Sequence, residues 1–495
     1  MSESVQTRAR STEIDYGRKW YVMAAVAMGI FLATIDGSIV NVALPTLVHA
    51  LDTTFATVQW VVLAYLLTLA TLLLLVGRLA DIHGKKRIYA TGFVVFTIGS
   101  VLCGLSQSVY MLIAMRVVQA VGASMVLALG PALITEAFPD SERGQALGIS
   151  GAIVSIGIIA GPTIGGVLIE QLSWHWIFFV NVPIGILGTI MVYRFVHNIP
   201  PRGERKFDYW GAATLFVSVL SLLLALTLGQ DAGFTSPRIL ALFATWLVFL
   251  VAFIVVEMRA SVPMLDLRLF RNTLFSVNLS TGFLVFMAIA GTILLLPFYL
   301  QNGLGYSVQT VGLMLAVLPV ALGIMSPIAG SVSDRIGVRP VTIAGLVLMV
   351  IGYLASSTLS QDTTLTGYIL RLVPIGMGIG IFQSPNNSAI MGAAPRSQLG
   401  VASSLLAVTR TLGQTTGIAI FGAVWATRVA AYSGGPVTGG ATEASPALQV
   451  AALQDTYRFI AVLMFVGLLL AVVGAWYERR AERRAERRAT HQAAR

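Results

Sequence analysis

Two residues of this chain offer the most chemistry, because each is a charge set inside a long apolar run: Asp36 in Leu32-Ala33-Thr34-Ile35-Asp36-Gly37, and Arg116 in Ile113-Ala114-Met115-Arg116-Val117-Val118. A charged side chain at the depth of an apolar span costs several kcal/mol, and such residues usually face a cavity and mark an ion path. Burial disfavours the charged form of a carboxyl, which allows one so placed to take up and release a proton near neutral pH. Asp36 is thus the candidate proton carrier, ahead of a purely structural hydrogen-bonded Asp. It precedes Pro45, read as the outer end of its helix, by about 14 Å, and Arg116 follows Tyr110 by about 9 Å, at 1.5 Å per residue. The two depths allow an ion pair that favours the carboxylate when closed and frees it when open. The plainer role for Arg116 is a hydrogen-bonding anchor of the bundle.

Two polar hairpins repeat one pattern. Gly77-Arg-Leu-Ala-Asp81-Ile-His-Gly84-Lys-Lys-Arg87 is echoed 253 positions later by Gly330-Ser-Val-Ser-Asp334-Arg-Ile-Gly337-Val-Arg339. Each falls where one apolar run ends and another begins, so Asp81, Arg87, Asp334 and Arg339 can meet opposing helix termini and latch one side of the molecule. Gly157, Gly161 and Gly165 recur every fourth residue, giving a smooth helix face for close approach, and Pro162 beside them permits a bend. Plain small-residue packing explains that spacing nearly as well. Gly144, Gly157 and Gly161 return as Gly400, Gly413 and Gly417 at a constant offset of 256. Repetition on this scale marks two homologous halves.

The elements that must carry these residues follow from composition. The 495 residues are 56% hydrophobic and 11% charged, with a mean hydropathy of +0.82, against roughly 25% charged in soluble domains. The chain is expected to be an all-α polytopic membrane protein. With about 20 residues per crossing, spans are expected near 20–45, 56–78, 87–106, 110–135, 145–170, 174–196, 210–229, 237–257, 274–300, 309–332, 340–359, 363–390, 399–426 and 457–477. These fourteen group as six, two and six. The boundaries expected are a tail 1–19, a six-helix bundle 20–199, a linker with two inserted helices 200–258, a second bundle 259–477 and a basic tail 478–495, which repeats Glu-Arg-Arg-Ala.

Loop charge sets the orientation. Of the 32 basic residues, 26 fall on the side of the N-terminus, three (Arg238, Arg428, Arg458) on the other, and three (Arg116, Arg371, Arg410) inside spans. Both termini are therefore expected in the cytoplasm. The same distribution accounts for the net charge of +10 as topology and attraction to anionic lipid, leaving no case for nucleic acid. The first span is too long for a signal-peptide core and is expected to remain. The lone Cys103 excludes an intramolecular disulfide or a CxxC metal site, and the five histidines lack ligand spacing. No metal, cofactor or enzyme motif emerges.

The motifs in this order carry a resemblance. The Gly77–Arg87 hairpin resembles the loop between helices 2 and 3 of the major facilitator superfamily, Arg116-Val-Val-Gln119-Ala-Val-Gly122 its helix-4 motif, and Gly157-Ile-Ile-Ala-Gly161-Pro162-Thr-Ile-Gly165-Gly166 the helix-5 motif of its antiporters. Leu32 to Pro45, Trp174-His-Trp-Ile-Phe-Phe-Val-Asn181-Val-Pro183 and Leu296-Pro-Phe-Tyr299-Leu-Gln301 resemble the fourteen-helix drug:proton antiporter subfamily. The resemblance covers nearly the whole chain.

It implies two pseudo-symmetric six-helix bundles flanking the inserted pair. It implies that Gly77, Asp81, Gly84 and Arg87 stabilise an outward-open state, and that the Gly157–Gly166 face keeps the halves tight against proton leak. It also implies a substrate cavity lined by the first and fourth helices of each half: Asn41, Gln119, Asn278, Phe286, Met287, Asn386 and Asn387, with Trp60 and Tyr65 from the second helix. For the aromatic and Met residues lipid contact or core packing competes. Some multidrug members carry another acidic residue in the second half. This chain has Arg371 and Arg410 there instead, which tells against dicationic substrates and leaves monocationic, neutral or anionic amphiphiles open. The function expected is export of amphipathic organic compounds across a bacterial cytoplasmic membrane, by a monomer among lipids with the proton as coupling ion. A nutrient symporter would use the same fold, and a non-transporting sensor is the remote alternative.

Overall fold

A computed structural model describes residues 16–493 apart from 54, 198–207, 261–262, 264, 266, 307, 436–440 and 442–443. The described chain is helical throughout, as it must be where lipid offers backbone groups no partner. The spans are α1 (Lys19–Ala50), α2 (Phe55–His83), α3 (Lys85–Gly104), α4 (Val109–Ala137), α5 (Arg143–Gln171), α6 (Trp176–Phe179 continuing as Asn181–Phe195), α7 (Tyr209–Ala232), α8 (Pro237–Arg259), α9 (Thr273–Phe298), α10 (Val308–Leu315 continuing as Val317–Ile336), α11 (Val338–Ser356), α12 (Leu365–Ala393), α13 (Leu399–Tyr432) and α14 (Pro446–Ala493). Thirteen of them are long and apolar enough to cross a membrane. The exception is α13, whose middle reads Thr409-Arg410-Thr411-Leu412-Gly413-Gln414-Thr415-Thr416.

Two boundaries differ from expectation. The first helix continues past position 45 to Ala50, so Pro45 does not end it. The last runs unbroken from Pro446 to Ala493, joining the expected span and tail into one helix. Arg458 is thereby drawn onto α14, where Asp455 takes its guanidinium at 3.0 Å and that of Arg428 on α13 at 3.6 Å. The basic stretch Pro200–Lys206 and most of the N-terminal tail lie outside the described residues.

Internal symmetry is visible in which helices touch. Helix α1 packs on α4, α5 and α6, and α3 on α4 and α6; α9 likewise packs on α12, α13 and α14, and α11 on α12 and α14. Between the halves, α2 meets α13 and α5 meets α10. The inserted pair α7–α8 leans on this seam, with α7 touching both α2 and α13.

The cores show where the seam is shut. Leu73, Leu74, Val76 and Ala80 of α2 share one apolar cluster with Ile390 and Met391 of α12 and Leu399, Ala402, Leu405 and Val408 of α13. At the opposite ends, Ile39, Val40, Leu47, Val58, Val61 and Leu112 form a cluster confined to the first half, and Leu295, Tyr299, Tyr353, Phe421 and Trp425 one confined to the second. The halves are thus welded at the hairpin end and built separately at the other.

Candidate functional site

Asp36 is fully buried in the first half, at the meeting of α1, α4 and α6. Its Oδ2 accepts from Arg116 NH1 at 2.6 Å. Its Oδ1 accepts from Gln119 Nε2 at 2.8 Å and from Asn181 Nδ2 at 2.9 Å. Arg116 is 1% exposed. It is held further by the Gln119 carbonyl oxygen at 2.7 Å, by donation from Nε to the Val61 backbone at 3.1 Å, and by stacking 4.0 Å from the Tyr65 ring centre. Ser100 on α3 accepts from Gln119 and Asn181, each at 3.1 Å, and donates to the Phe178 carbonyl at 2.9 Å. The carboxylate thus has one charged and two neutral donors, which together offset the loss of solvent for both ions.

Local sequence explains how each donor arrives. Gln119 stands three residues after Arg116, on the same helix face. The short turn Trp176–Phe179 gives way at Val180 to the longer helix beginning at Asn181, so Asn181 enters the core from a helix start. The close approach of α3 and α4 is fixed at Gly99, where any Cβ would lie 2.6 Å from the Gln119 Cα. Ser100 and Asn181 did not figure among the candidate site residues. Both are neutral; a polar residue flanked by apolar ones near the end of a span is the signal that the sequence carries for each.

The hairpins form reciprocal caps between the halves. Asp81 near the end of α2 accepts from the backbone amides of Gly400 and Val401, in the first turn of α13, at 3.0 and 3.1 Å. Asp334 near the end of α10 accepts from those of Gly144 and Gln145, in the first turn of α5, at 3.0 Å each. Each carboxylate satisfies orphan amides and meets the positive end of a helix belonging to the other half. The contact needs bare backbone: a Cβ on Gly77 would lie 2.5 Å from the Gly400 carbonyl oxygen, and one on Gly330 2.2 Å from that of Gly144. Gly84 and Gly337 turn the chain between helices with φ of +96° and +90°, a region that side chains avoid.

In the first hairpin the cation beside the acid is not Arg87. Arg87 is exposed and has no ion pair among the described residues. Lys85 takes its place, 3.0 Å from both Asp81 and Glu136, because it stands four residues beyond Asp81 across the turn. In the second hairpin, Arg339 lines a small groove with Asn278 and Thr342. The glycine face is likewise internal to a half. Gly157, Gly161 and Gly165 pack on Thr34, Ser38 and Ile39 of α1, and Gly413 and Gly417 repeat the contact on Phe283, Phe286 and Met287 of α9. The seam between α5 and α10 is made instead by Gly148 and Gly151 against Ser326. Pro162 lies outside the described side chains, and Gly166 has open space around it.

The cavity candidates divide. Tyr65 and Gln119 belong to the Asp36 cluster. Asn41 is exposed one turn from Gly37, where nothing lies within 4 Å of a Cβ, so this part of α1 is open. Trp60 packs against the shared apolar core. Asn278, Met287 and Asn386 are buried and Phe286 and Asn387 half-buried. Arg371, the counterpart of Arg116 by position, donates to Thr358 just past the end of α11 at 2.9 Å and to the Gly367 carbonyl in the first turn of its own helix at 3.0 Å. It takes no part in a buried cluster. Arg410 is half-buried beneath the Phe286 ring, 5.7 Å from its centre.

Comparison with known proteins agrees with this architecture. The family model described as Major Facilitator Superfamily matches residues 26–418 and 279–494. A riboflavin transporter of Clostridioides difficile is 34% identical over 456 residues, covering 92% of this chain and 97% of that protein. The multidrug resistance protein Stp of Mycobacterium tuberculosis is 35% identical over 82% of this chain and 75% of its own length, and the multidrug transporter MdtP of Bacillus subtilis 32% over 84% and 76%. Among solved structures, the human organic anion transporter MFSD10 superposes with a TM-score of 0.65 at 15% identity over 92% of this chain and 99% of its own, and the proton:xylose symporter XylE with 0.60 at 13% over 91% and 95%. At that identity these two speak for the fold alone. With its fourteen-helix bundle, its repeated hairpins and relatives that are transporters rather than enzymes, the chain is a multi-pass membrane protein that belongs to the major facilitator superfamily.

Proposed function

We propose that this transporter exports amphipathic organic compounds in exchange for protons, as a monomer in a bacterial cytoplasmic membrane with both termini inside. The observation that carries the reading is the fully buried Asp36, held by Arg116, Gln119 and Asn181. A carboxyl enclosed by donors that can each be withdrawn by helix movement is a proton carrier whose occupancy follows conformation. With the hairpin side inside, the halves are closed towards the cytoplasm by the Asp81 and Asp334 caps. In this outward-facing arrangement Asp36 awaits a proton from the outer, proton-rich side. Protonation removes the charge that holds Arg116, loosens α1 from α4 and favours reorientation; substrate binding and proton loss inside complete the cycle. The names of the Stp and MdtP relatives support drugs or similar amphiphiles as cargo.

The test is proton-driven flux of labelled amphiphiles in proteoliposomes. Asp36→Asn should insert and fold but lose coupled efflux. If that variant still builds a substrate gradient, the assignment of Asp36 fails. A second reading, transport of one nutrient-like compound, is favoured by the riboflavin transporter among the relatives. Flux measured in inverted and right-side-out vesicles separates export from uptake.

A further inference from the structure

We propose that Arg410 anchors an acidic group of the transported molecule, so that this chain selects amphipathic organic anions; the inference rests on the transport reading above. Arg410 stands about 17 Å along α13 from its start at Leu399, at 1.5 Å per residue, near the middle of a hydrocarbon core about 30 Å thick. Among the described residues it has neither a hydrogen-bond nor an ion-pair partner; its one contact of note is the Phe286 ring. A guanidinium at that depth is costly to keep, and residues of this kind face a cavity and act on an ion or ligand. The contrast with Arg116, another arginine within a span, is direct. There Asp36, Gln119, Val61 and Tyr65 occupy the guanidinium. Here the planar fork of five N–H donors is left for something that is not part of the chain. Carboxylate, sulfonate and phosphate match that fork two oxygens at a time.

Three further observations place this fork on the transport path. Helix α13 meets α2 of the other half, so it borders the space between the halves. Its middle, Thr409 to Thr416, is polar enough to set it apart from the thirteen apolar spans. A polar helix middle facing lipid would be costly, whereas one facing an aqueous path is stable. Symmetry supplies the third. At the offset of 256 that relates Gly413 to Gly157, the partner of Arg410 is Val154, so the shared scaffold does not require a cation here. Nor does the second half hold a carboxylate to answer it. Among the described residues from Thr273 to Trp476, the carboxylates on helices are Asp334 and Asp455, each near a helix end and each engaged elsewhere. Phe286 adds an aromatic face beside the charge, which suits a ring or acyl body attached to the acid.

The test compares two probes that differ only in charge, 1-naphthaleneacetate and 1-naphthaleneacetamide, binding to the full-length protein in lipid nanodiscs by calorimetry. The acid should bind at least about tenfold more tightly than the amide. Arg410→Gln should abolish that preference by weakening the acid far more than the amide, and Arg410→Lys should retain part of it. Removing a half-buried charge that has no partner among the described residues is not expected to harm folding. Absence of a preference in the native protein, survival of the preference in Arg410→Gln, or equal weakening of both probes would each overturn the proposal. Proton-driven flux in the Asp36→Asn variant is scored separately, so a loss of acid selectivity and a failure of proton-coupled transport are told apart.

Discussion

Asp36 keeps its place at no exposure to solvent because three side chains donate to it, and one of them carries a charge. Taking away either partner of a buried pair strands the other, at a cost of about 3–5 kcal/mol. Arg116→Ala and Asp36→Asn should therefore each lower the thermal unfolding midpoint in detergent. The Asp36→Asn/Arg116→Ala double variant should recover part of the loss; strict additivity of the two single effects would show that the pair is not coupled. Asn181→Ala removes one donor from Asp36 and one from Ser100, at about 1–3 kcal/mol. Reduced proton-driven flux with normal expression is the outcome expected, and native flux would exclude Asn181 from the proton site. Asp36 and Arg116 were legible in the sequence because a charge within an apolar run is conspicuous. Ser100 and Asn181 were not, since a neutral polar residue in such a run looks like many others until the fold brings it to a carboxylate.

Helix ends determine how the halves hold together. Asp81 and Asp334 each cap a helix of the opposite half, and a side-chain cap contributes about 1 kcal/mol. Losing both, in an Asp81→Ala/Asp334→Ala variant, should tilt the balance between closed and open hairpin ends by about 2 kcal/mol, roughly 30-fold. A cysteine replacing Ser404, which lies against Gly77 inside this contact, should then react faster with a maleimide supplied from the hairpin side. An unchanged rate would mean that the caps do not hold the seam. Gly84→Ala forces a side chain into a positive-φ backbone, at about 1–3 kcal/mol. Its expected signature is a lower unfolding midpoint together with a loosened α2–α3 turn, seen as faster amide exchange there. The hairpin pattern announced the acids correctly as residues for opposing helix ends. It misassigned the cation, because the sequence does not say that Lys85 rather than Arg87 faces back across the turn.

At the scale of the whole molecule, repeated contacts carry unlike chemistry. The α1–α5 glycine contact recurs as α9–α13, and the two hairpin caps mirror each other, yet the buried Asp36–Arg116 cluster belongs to the first half and Arg410, a guanidinium without a partner among the described residues, to the second. If the halves move as units, exchange of one proton for a monoanion carries two charges across the membrane in the same electrical direction. An inside-negative potential should accelerate export of an acidic cargo more than export of a neutral one, and equal acceleration in proteoliposomes would argue against an anionic cargo. The sequence by itself determined the solvent, the number of spans, the two halves and the charged residues set within the spans, because hydropathy and repetition are properties of the chain alone. Only the tertiary structure decided that the glycine face binds α1 rather than the opposite half, that Asn181 and Ser100 join Asp36 in one buried cluster, and that Arg371 is tied to Thr358 and Gly367 while Arg410 has no such partner among the described residues. Those outcomes depend on which side of each helix is turned inward, and that is fixed by packing between segments far apart in the sequence.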